Sequence, residues 1–286
     1  MSILESERKK KVDRLIDQVK SLPSLPSLYL ELVRELRSPM VSVRRVGQII
    51  SKDLGMTPKL LQLVNSAYFG ISREVTSVER AVALLGLNLV RDCVLVTHIF
   101  SQLDPSRPEM SSVAGLWRHS MSCAGLARQV ARNEGADNGL VELAATAGLL
   151  HDVGKLILAT HLGERYQSLY ELARQEQIEL YLVEEQYLGF NHAEVGASLL
   201  ERWGLPRELV AAVGFHHQPG LLAEKGFSAL TAVHVANYFD HALESYAADS
   251  LQVDRSYLSS LELGDRMSEW FQTAGSMRDQ HLARTS

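Results

Sequence analysis

Cysteine is nearly missing from this chain: Cys93 and Cys123 are the only two in 286 residues. Both sit among apolar neighbours, which excludes a disulfide framework and suits buried thiols in a reducing compartment. Positive charge is not in excess, since 29 basic residues against 34 acidic ones leave a formal net charge of −5. No global field therefore draws the protein onto nucleic acid. The one basic cluster, Arg8 to Lys11, reads as a solvated helix face. No uninterrupted apolar run approaches the ~18 residues of a membrane span, and the charged stretch from Glu5 to Arg14 is unlike a signal peptide. These absences lead us to expect a cytoplasmic, soluble protein with no membrane and no direct nucleic-acid contact. Walker-type glycine loops and dinucleotide fingerprints are lacking as well.

Apolar residues recur at helical spacing: Leu28, Leu32, Val33 and Leu36; Val43, Val46, Ile49 and Ile50; Leu60, Leu61, Val64 and Ala67; Val78, Ala81, Val82 and Leu85. No segment alternates as a strand does, so the fold class is all-α. Thr57 before Pro58 predicts a helix start with proline at its first position, and Gly204-Leu205-Pro206 predicts the end of one helix and the opening of another. The best break is Asp104-Pro105-Ser106-Arg107-Pro108, where two prolines remove backbone donors and push their predecessors out of helical geometry. The expected organisation is an N-terminal helical extension at 1–20, a helical lobe at 21–108, a second lobe at 109–245 and a C-terminal helical tail at 246–286. Trp270 and Phe271 suggest that the last helix packs back on the body. The first lobe holds no nucleophile with a nearby base. Its polar cluster Asn65, Ser66 and Tyr68 reads as helix capping, so this lobe is expected to present a surface to a partner.

Chemistry concentrates in the second lobe. His151 and Asp152 open the string HDVGK, and His119, His192, His216 and His217 form an ordered series around it. Neutral imidazoles and one carboxylate arriving from several helices make a donor set for a divalent cation. Consecutive His151 and Asp152 diverge by about 100° on a helix, and Asp152 has the oxygens to bridge two ions. Lys155 falls where an ammonium meets a phosphate oxygen, with a solvated helix-end lysine as the plain alternative. His192 follows Asn191, with Glu194 three after that Asn: a capping-box start whose positive dipole end disfavours imidazolium. His216 and His217 close the helix after Pro206, where a carbonyl bond or dipole stabilisation is the structural alternative. His234 and His241 read as capping or packing residues, with auxiliary ligands as the alternative.

The Leu-Pro-x-Leu-Pro entry, the segment LLQLVNSAYFG and the segment SVERAVALLGL resemble the HDOD family, a bacterial signalling output domain related to HD hydrolases, over roughly residues 22–240. The resemblance implies an N-terminal helical bundle packed on an HD-like lobe, acting in signal transduction, usually without demonstrated catalysis. The histidine series is also similar to the HD-GYP phosphodiesterases, whose matching positions bind two or three metals and hydrolyse cyclic dinucleotides. Carried over, His119, His151 and Asp152 ligate a first ion, with Asp152 shared, and His192, His216 and His217 complete a second. Asn237 stands in the helix TAVHVANYFD where an HD hydrolase has its terminal aspartate. Gly115 occupies the place of a carboxylate found in trinuclear members, and the GYP signature is missing.

An asparagine keeps an oxygen but loses a charge, so one carboxylate is left to compensate two cations. Asp240, three residues on, is not expected to replace it. The sequence thus favours a signalling output module that acts through unidentified protein partners and carries a degenerate site for one or two divalent ions (Fe, Mn, Zn or Mg). The alternative is an active metal-dependent phosphohydrolase taking a phosphate-containing ligand, with Asp152 and Lys155 as its catalytic groups.

Overall fold

The computed structural model describes residues 3–18, 27–53, 55–65, 74–101, 115–223, 225–244 and 253–285. The Leu-Pro entry at 22–26, Ser66, Tyr68 and the proline break at 104–108 lie outside these residues. Among the described residues no strand occurs, in keeping with the 3.6-residue periodicity. The helices in chain order are α1 (Ile3–Gln18), α2 (Ser27–Leu36), α3 (Val43–Ile50), α4 (Met56–Val64), α5 (Val78–Leu85), α6 (Leu87–Ser101), α7 (Leu116–Asn133) and α8 (Asn138–Leu150). There follow α9 (Val153–Leu162), α10 (Glu164–Glu176), α11 (Leu180–Leu188), α12 (His192–Arg202), α13 (Arg207–Phe215), α14 (Ala229–Glu244), α15 (Arg255–Ser260) and α16 (Met267–Thr285). They divide into two units: a larger one of residues 1–22 with 104–276, and a smaller one of 23–103 with 277–286.

The smaller unit is built around α6, which meets α2, α4 and α5. Its Leu89, Val90, Cys93, Val94, Leu95 and Val96 are all buried. Ser42 and Ser77 cap α3 and α5 by accepting from the N–H of Arg45 and Arg80. The Thr57-Pro58 start is displaced: α4 begins at Met56, and the capping acceptor is Asp53, whose Oδ1 takes the N–H of Gly55 at 2.9 Å and of Met56 at 3.1 Å. Pro58 then sits within the first turn, where its missing N–H leaves no bond unmade. Asn65 does more than cap, because its amide both donates to Val75 O (2.8 Å) and accepts from Val75 N–H (2.7 Å), tying the end of α4 to the entry of α5.

In the larger unit α8 is the central helix, flanked by α7, α13 and α14, and α12 lies between α9 and α13. The continuous stretch 138–162 has the length and hydropathy of a membrane span, yet 83% of its most apolar window is buried inside the protein. It is apolar because it is the core. Two glycines let helices touch there: a Cβ on Gly148 would fall 2.8 Å from the Ala124 backbone of α7, and one on Gly154 would fall 1.9 Å from His192 O of α12. α1 straps α12 by burying Val12 and Ile16. Arg8 is not simply solvated, since it pairs with Glu185 and with Glu194 at 2.6 Å. Trp270 is fully buried and its indole N–H donates to Glu134 at 2.9 Å, which holds the start of α16 on the body.

Candidate metal centre

Five helices end at or pass one point in the larger unit. His151 caps the C-terminus of α8 and Asp152 precedes α9, so the pair lies in a break between helices rather than on one continuous helix as expected. The break frees their directions from the 100° step. His119 comes from the second turn of α7, His192 is the first residue of α12, and His216 and His217 follow α13. The capping box predicted around Asn191 and Glu194 is present. His151, His192 and His216 are fully buried and Asp152 is 1% exposed.

Each imidazole is held from outside by its Nδ1 and presents Nε2 inward. His119 Nδ1–H donates to Asp240 Oδ2 (2.6 Å), His151 Nδ1–H to Gly148 O (2.8 Å), His192 Nδ1–H to Glu184 Oε2 (2.7 Å) and His216 Nδ1–H to Val213 O (2.7 Å). His217 Nδ1 faces Glu179 at 3.6 Å, and its ring stacks on Tyr181 at 4.4 Å. Such outer partners fix the tautomer that leaves a lone pair on Nε2. Those lone pairs meet head-on: Nε2 of His119 and His151 are 3.0 Å apart, and Nε2 of His192 and His217 are 2.9 Å apart. Two such lone pairs repel unless a proton or a cation lies between them.

Asp152 divides the two sets. Its Oδ2 is 3.5 Å from His119 Nε2 and 3.4 Å from His151 Nε2, while Oδ1 is 3.1 Å from His192 Nε2 and 3.7 Å from His216 Nε2. Lys155 Nζ donates to Oδ2 at 2.6 Å, so its ammonium is engaged by the bridging carboxylate rather than left to solvent. Asp152 Oδ1 and His216 Nε2 are buried with no hydrogen-bond partner. A buried acceptor without a donor carries a penalty of about 1–3 kcal/mol. A cation between them removes it, and the donor set of imidazoles plus carboxylate fits zinc, iron or manganese.

Electrostatics favours the neutral, ligating forms. Burial pushes the imidazole of His151 down to about 4, and holds His216 and His217 well below the usual histidine range. The carbonyl bond of the helix-end reading is present at His216, through Val213 O, while burial disfavours the charged form of both rings. His192 departs in the other direction: burial and the Lys155 charge lower its value, but the Glu184 carboxylate, with Asp152, outweighs them and raises it. The Asp152 carboxyl stays well below its ordinary value, as burial is outweighed by His151, Lys155 and His192.

Asn237 is buried on α14, the helix that also carries Asp240 and His241. Two α14 side chains reach His119: Asp240, about 60° round the helix from Asn237, through Nδ1, and His241, whose ring lies 4.7 Å from that of His119. Two more carboxylates were not singled out in the sequence. Glu184 is fully buried on α11, accepting from Tyr166 O–H (2.7 Å) and from both the backbone N–H and Nδ1–H of His192. Glu179 stands by His217. The only signal available for Glu184 was its place directly after the apolar run 180–183 on α11. His234 has a packing role, donating from Nδ1 to His216 O (2.8 Å) and accepting from Asp254 N–H at Nε2 (2.9 Å). Beside His217 the unit opens into a cleft of about 1010 Å³ lined by Tyr181, Gln218, Tyr238, Asp254 and Arg255.

The family model of the HDOD domain matches residues 22–219. An HDOD domain protein with unknown function from Geobacter sulfurreducens superposes with a TM-score of 0.76 at 24% identity, covering 97% of both chains. A Shewanella amazonensis structure, provisionally named a phosphohydrolase, gives 0.70 at 23% identity over 93% of this chain and 95% of that one. Both likenesses concern the fold alone. An uncharacterized protein of Treponema pallidum is 27% identical over 256 residues, 90% of this chain and 49% of that protein. The chain thus spans about half the length of that relative.

Proposed function

Because the chain belongs to the HDOD family, we propose that it is a signalling output module whose larger unit binds one or two divalent cations at the histidine centre and whose smaller unit meets a partner protein. The observation that carries the cation is the pair of buried, partnerless acceptors, Asp152 Oδ1 and His216 Nε2, inside a ring of inward-facing imidazoles. A bound divalent cation supplies Lewis acidity and charge neutralisation at a phosphoryl oxygen. The chain's own residues do the positioning: Asp152 offers one oxygen to each donor set, Lys155 holds that carboxylate, and Asp240 and Glu184 orient His119 and His192.

Burial favours a signalling role over turnover. A catalytic metal keeps a coordination position open to substrate, whereas His151, His192 and His216 are 0% exposed, and of the inner donors and Lys155 only His119, His217 and Lys155 have side chains above 10%. Two buried, unbridged thiols suit the reducing cytoplasm in which such a module works. The test is an assay of metal-loaded protein against cyclic dinucleotides, nucleotides and a generic phosphodiester. We expect bound metal without turnover. Turnover abolished by Asp152→Ala overturns the signalling-only reading, and refusal of zinc, iron and manganese overturns the cation.

A second reading, metal-dependent phosphohydrolase, is favoured by one specific feature. The cleft beginning at His217 is at the upper end of the ~300–1,000 Å³ of small-molecule sites, and its Arg255 suits a phosphate-containing ligand. The same assay separates the two readings.

A further inference from the structure

His192 is the first residue of α12, so its place in the centre depends on the residue before it. Asn191 is buried, and each of its four polar atoms is bonded. Its backbone N–H donates to Glu194 Oε2 (2.8 Å) and its side-chain amide to Glu185 Oε1 (2.8 Å), while its Oδ1 accepts from Glu194 N–H (3.1 Å) and its carbonyl from Val195 N–H (3.2 Å). Two carboxylates, one from α11 and one from α12, thus converge on one buried amide. Like charges brought that close repel unless a cation joins them.

Arg8 of α1 is that cation. Its Nη2 donates to Glu185 Oε1, the oxygen that Asn191 also uses, and its Nε stands 2.6 Å from Glu194 Oε1 as an ion pair without hydrogen-bond alignment. A ring closes through Arg8, Glu185, Asn191 and Glu194. Its three charged side chains are partly buried, so water screens them only in part. Lys11 of the same helix reaches the end of α11 instead, where a Cβ on Gly189 would fall 3.0 Å from its Nζ. Buried Val12 and Ile16, and Asp13 accepting from the Ser198 hydroxyl at 2.9 Å, keep α1 along α12. From α1 the chain runs on into the smaller unit at Pro23.

Building on the proposed cation centre, we propose that Arg8 is a positioning residue of that centre: by joining the two carboxylates that fix Asn191, docked α1 holds the start of α12 where His192 Nε2 meets Asp152 Oδ1. Cation binding and α1 docking then favour each other, and linkage makes the two effects equal in size. Whatever displaces α1 weakens the hold of the centre on its cation. The plain alternative is an ion pair that fastens α1 to the surface and nothing more.

Two measurements on the full chain decide between them: zinc affinity by competition with a chromophoric chelator, and hydrogen exchange of α1 in EDTA and in saturating zinc, with α16 as the reference for general stabilisation. We expect Arg8→Gln to lower zinc affinity about 5-fold, the low end of coupling between sites because Arg8 acts through Asn191. In the parent, zinc is expected to slow α1 exchange by the same factor. Glu185→Gln added to Arg8→Gln keeps an oxygen for Asn191 but removes one of the two charges, so it is expected to restore most of the lost affinity. Lys9→Gln, which loses only an exposed pair with Glu201, is expected to change nothing. A fastening role predicts α1 exchange that ignores zinc and no recovery in the double variant; either result overturns the proposal, as does a loss in Lys9→Gln equal to that in Arg8→Gln. If Arg8→Gln does not fold, the zinc dependence of α1 exchange in the parent decides alone. Equal zinc affinity in the parent and Arg8→Gln overturns the role of Arg8 and leaves the cation centre standing, whereas a parent that refuses zinc overturns both.

Discussion

Replacing Gly154 by alanine sets two effects of known size against each other. In an open helix the change stabilises by about 1 kcal/mol, because glycine forfeits more backbone entropy than alanine. At position 154 the new Cβ falls 1.9 Å from His192 O and 2.8 Å from both His192 C and Gly196 N. A methyl carbon and a carbonyl oxygen need roughly 3.2 Å, so α9 and α12 must part by more than 1 Å. The obstacle is backbone, and no rotamer relieves it. Overpacking of this kind costs about 1–3 kcal/mol or more, and the rigid partner puts this site at or beyond the upper end. The net expectation is destabilisation by about 2 kcal/mol, the packing term defeating the propensity term. Gly275, on α16 with nothing within 4 Å, is the control, and Gly275→Ala is expected to gain about 0.5–1 kcal/mol. Urea unfolding read by tryptophan fluorescence isolates the relevant unit, since Trp117, Trp203 and Trp270 all belong to 104–276. Gly154→Ala as stable as the parent refutes the claim that α9 and α12 touch at this glycine, and with it the geometry that fixes His192.

Glu184→Gln keeps the shape but removes the buried charge that orients His192, so zinc affinity is expected to drop about 10 to 100-fold; competition with a chromophoric chelator measures it, and an unchanged constant contradicts the role. Asp240→Asn is expected to weaken zinc binding in the same range through His119, whereas Asn237→Asp leaves it unchanged, and the reverse order in the same assay rejects the placement of α14. Acidification is expected to destabilise the EDTA-treated protein. His151 has a folded value of about 4 against about 6.5 unfolded, so below pH ~6.5 the unfolded chain binds a proton the folded chain refuses, and His151 alone costs about 2 kcal/mol between pH 7 and 5. His216 and His217 act in the same sense and His192 in the opposite one; urea midpoints that do not fall over this range refute the net sign.

What the sequence made legible was periodic or contiguous. Leu60, Leu61 and Val64 at helical spacing announce α4, although Leu63 and not Leu61 is buried beside Leu60 and Val64, and Asn191 with Glu194 announces the start of α12 because both halves of a capping box lie within four residues. The break between α8 and α9 was hidden by the same logic. The run 138–162 is apolar on both sides of His151, Asp152 and Lys155, so no change of period marks where one helix stops. Thr57 misled for a related reason: a hydroxyl before proline looks like a cap, but Asp53 three residues before Met56 makes the bonds.

Charge placement around the centre was the least legible part, and the reason is geometric. A residue that ligates through its own side chain can be matched to a motif, but one that acts on a ring's far nitrogen is chosen by the direction of that ring. The direction depends on where a second helix crosses. Asn237 and Asp240 differ by less than one turn, and only the approach of α14 to α7 decides that residue 240 meets His119. The same holds for Glu184, which serves His192 from a separate helix eight residues away. Counting carboxylates along the chain therefore gave a centre with one negative group. Counting them in space gives Asp152 inside and Asp240 and Glu184 outside, with Lys155 drawing on one oxygen of the first. The negative charge that Asn237 does not bring is thus supplied around the centre from α11 and α14, through Glu184 and Asp240.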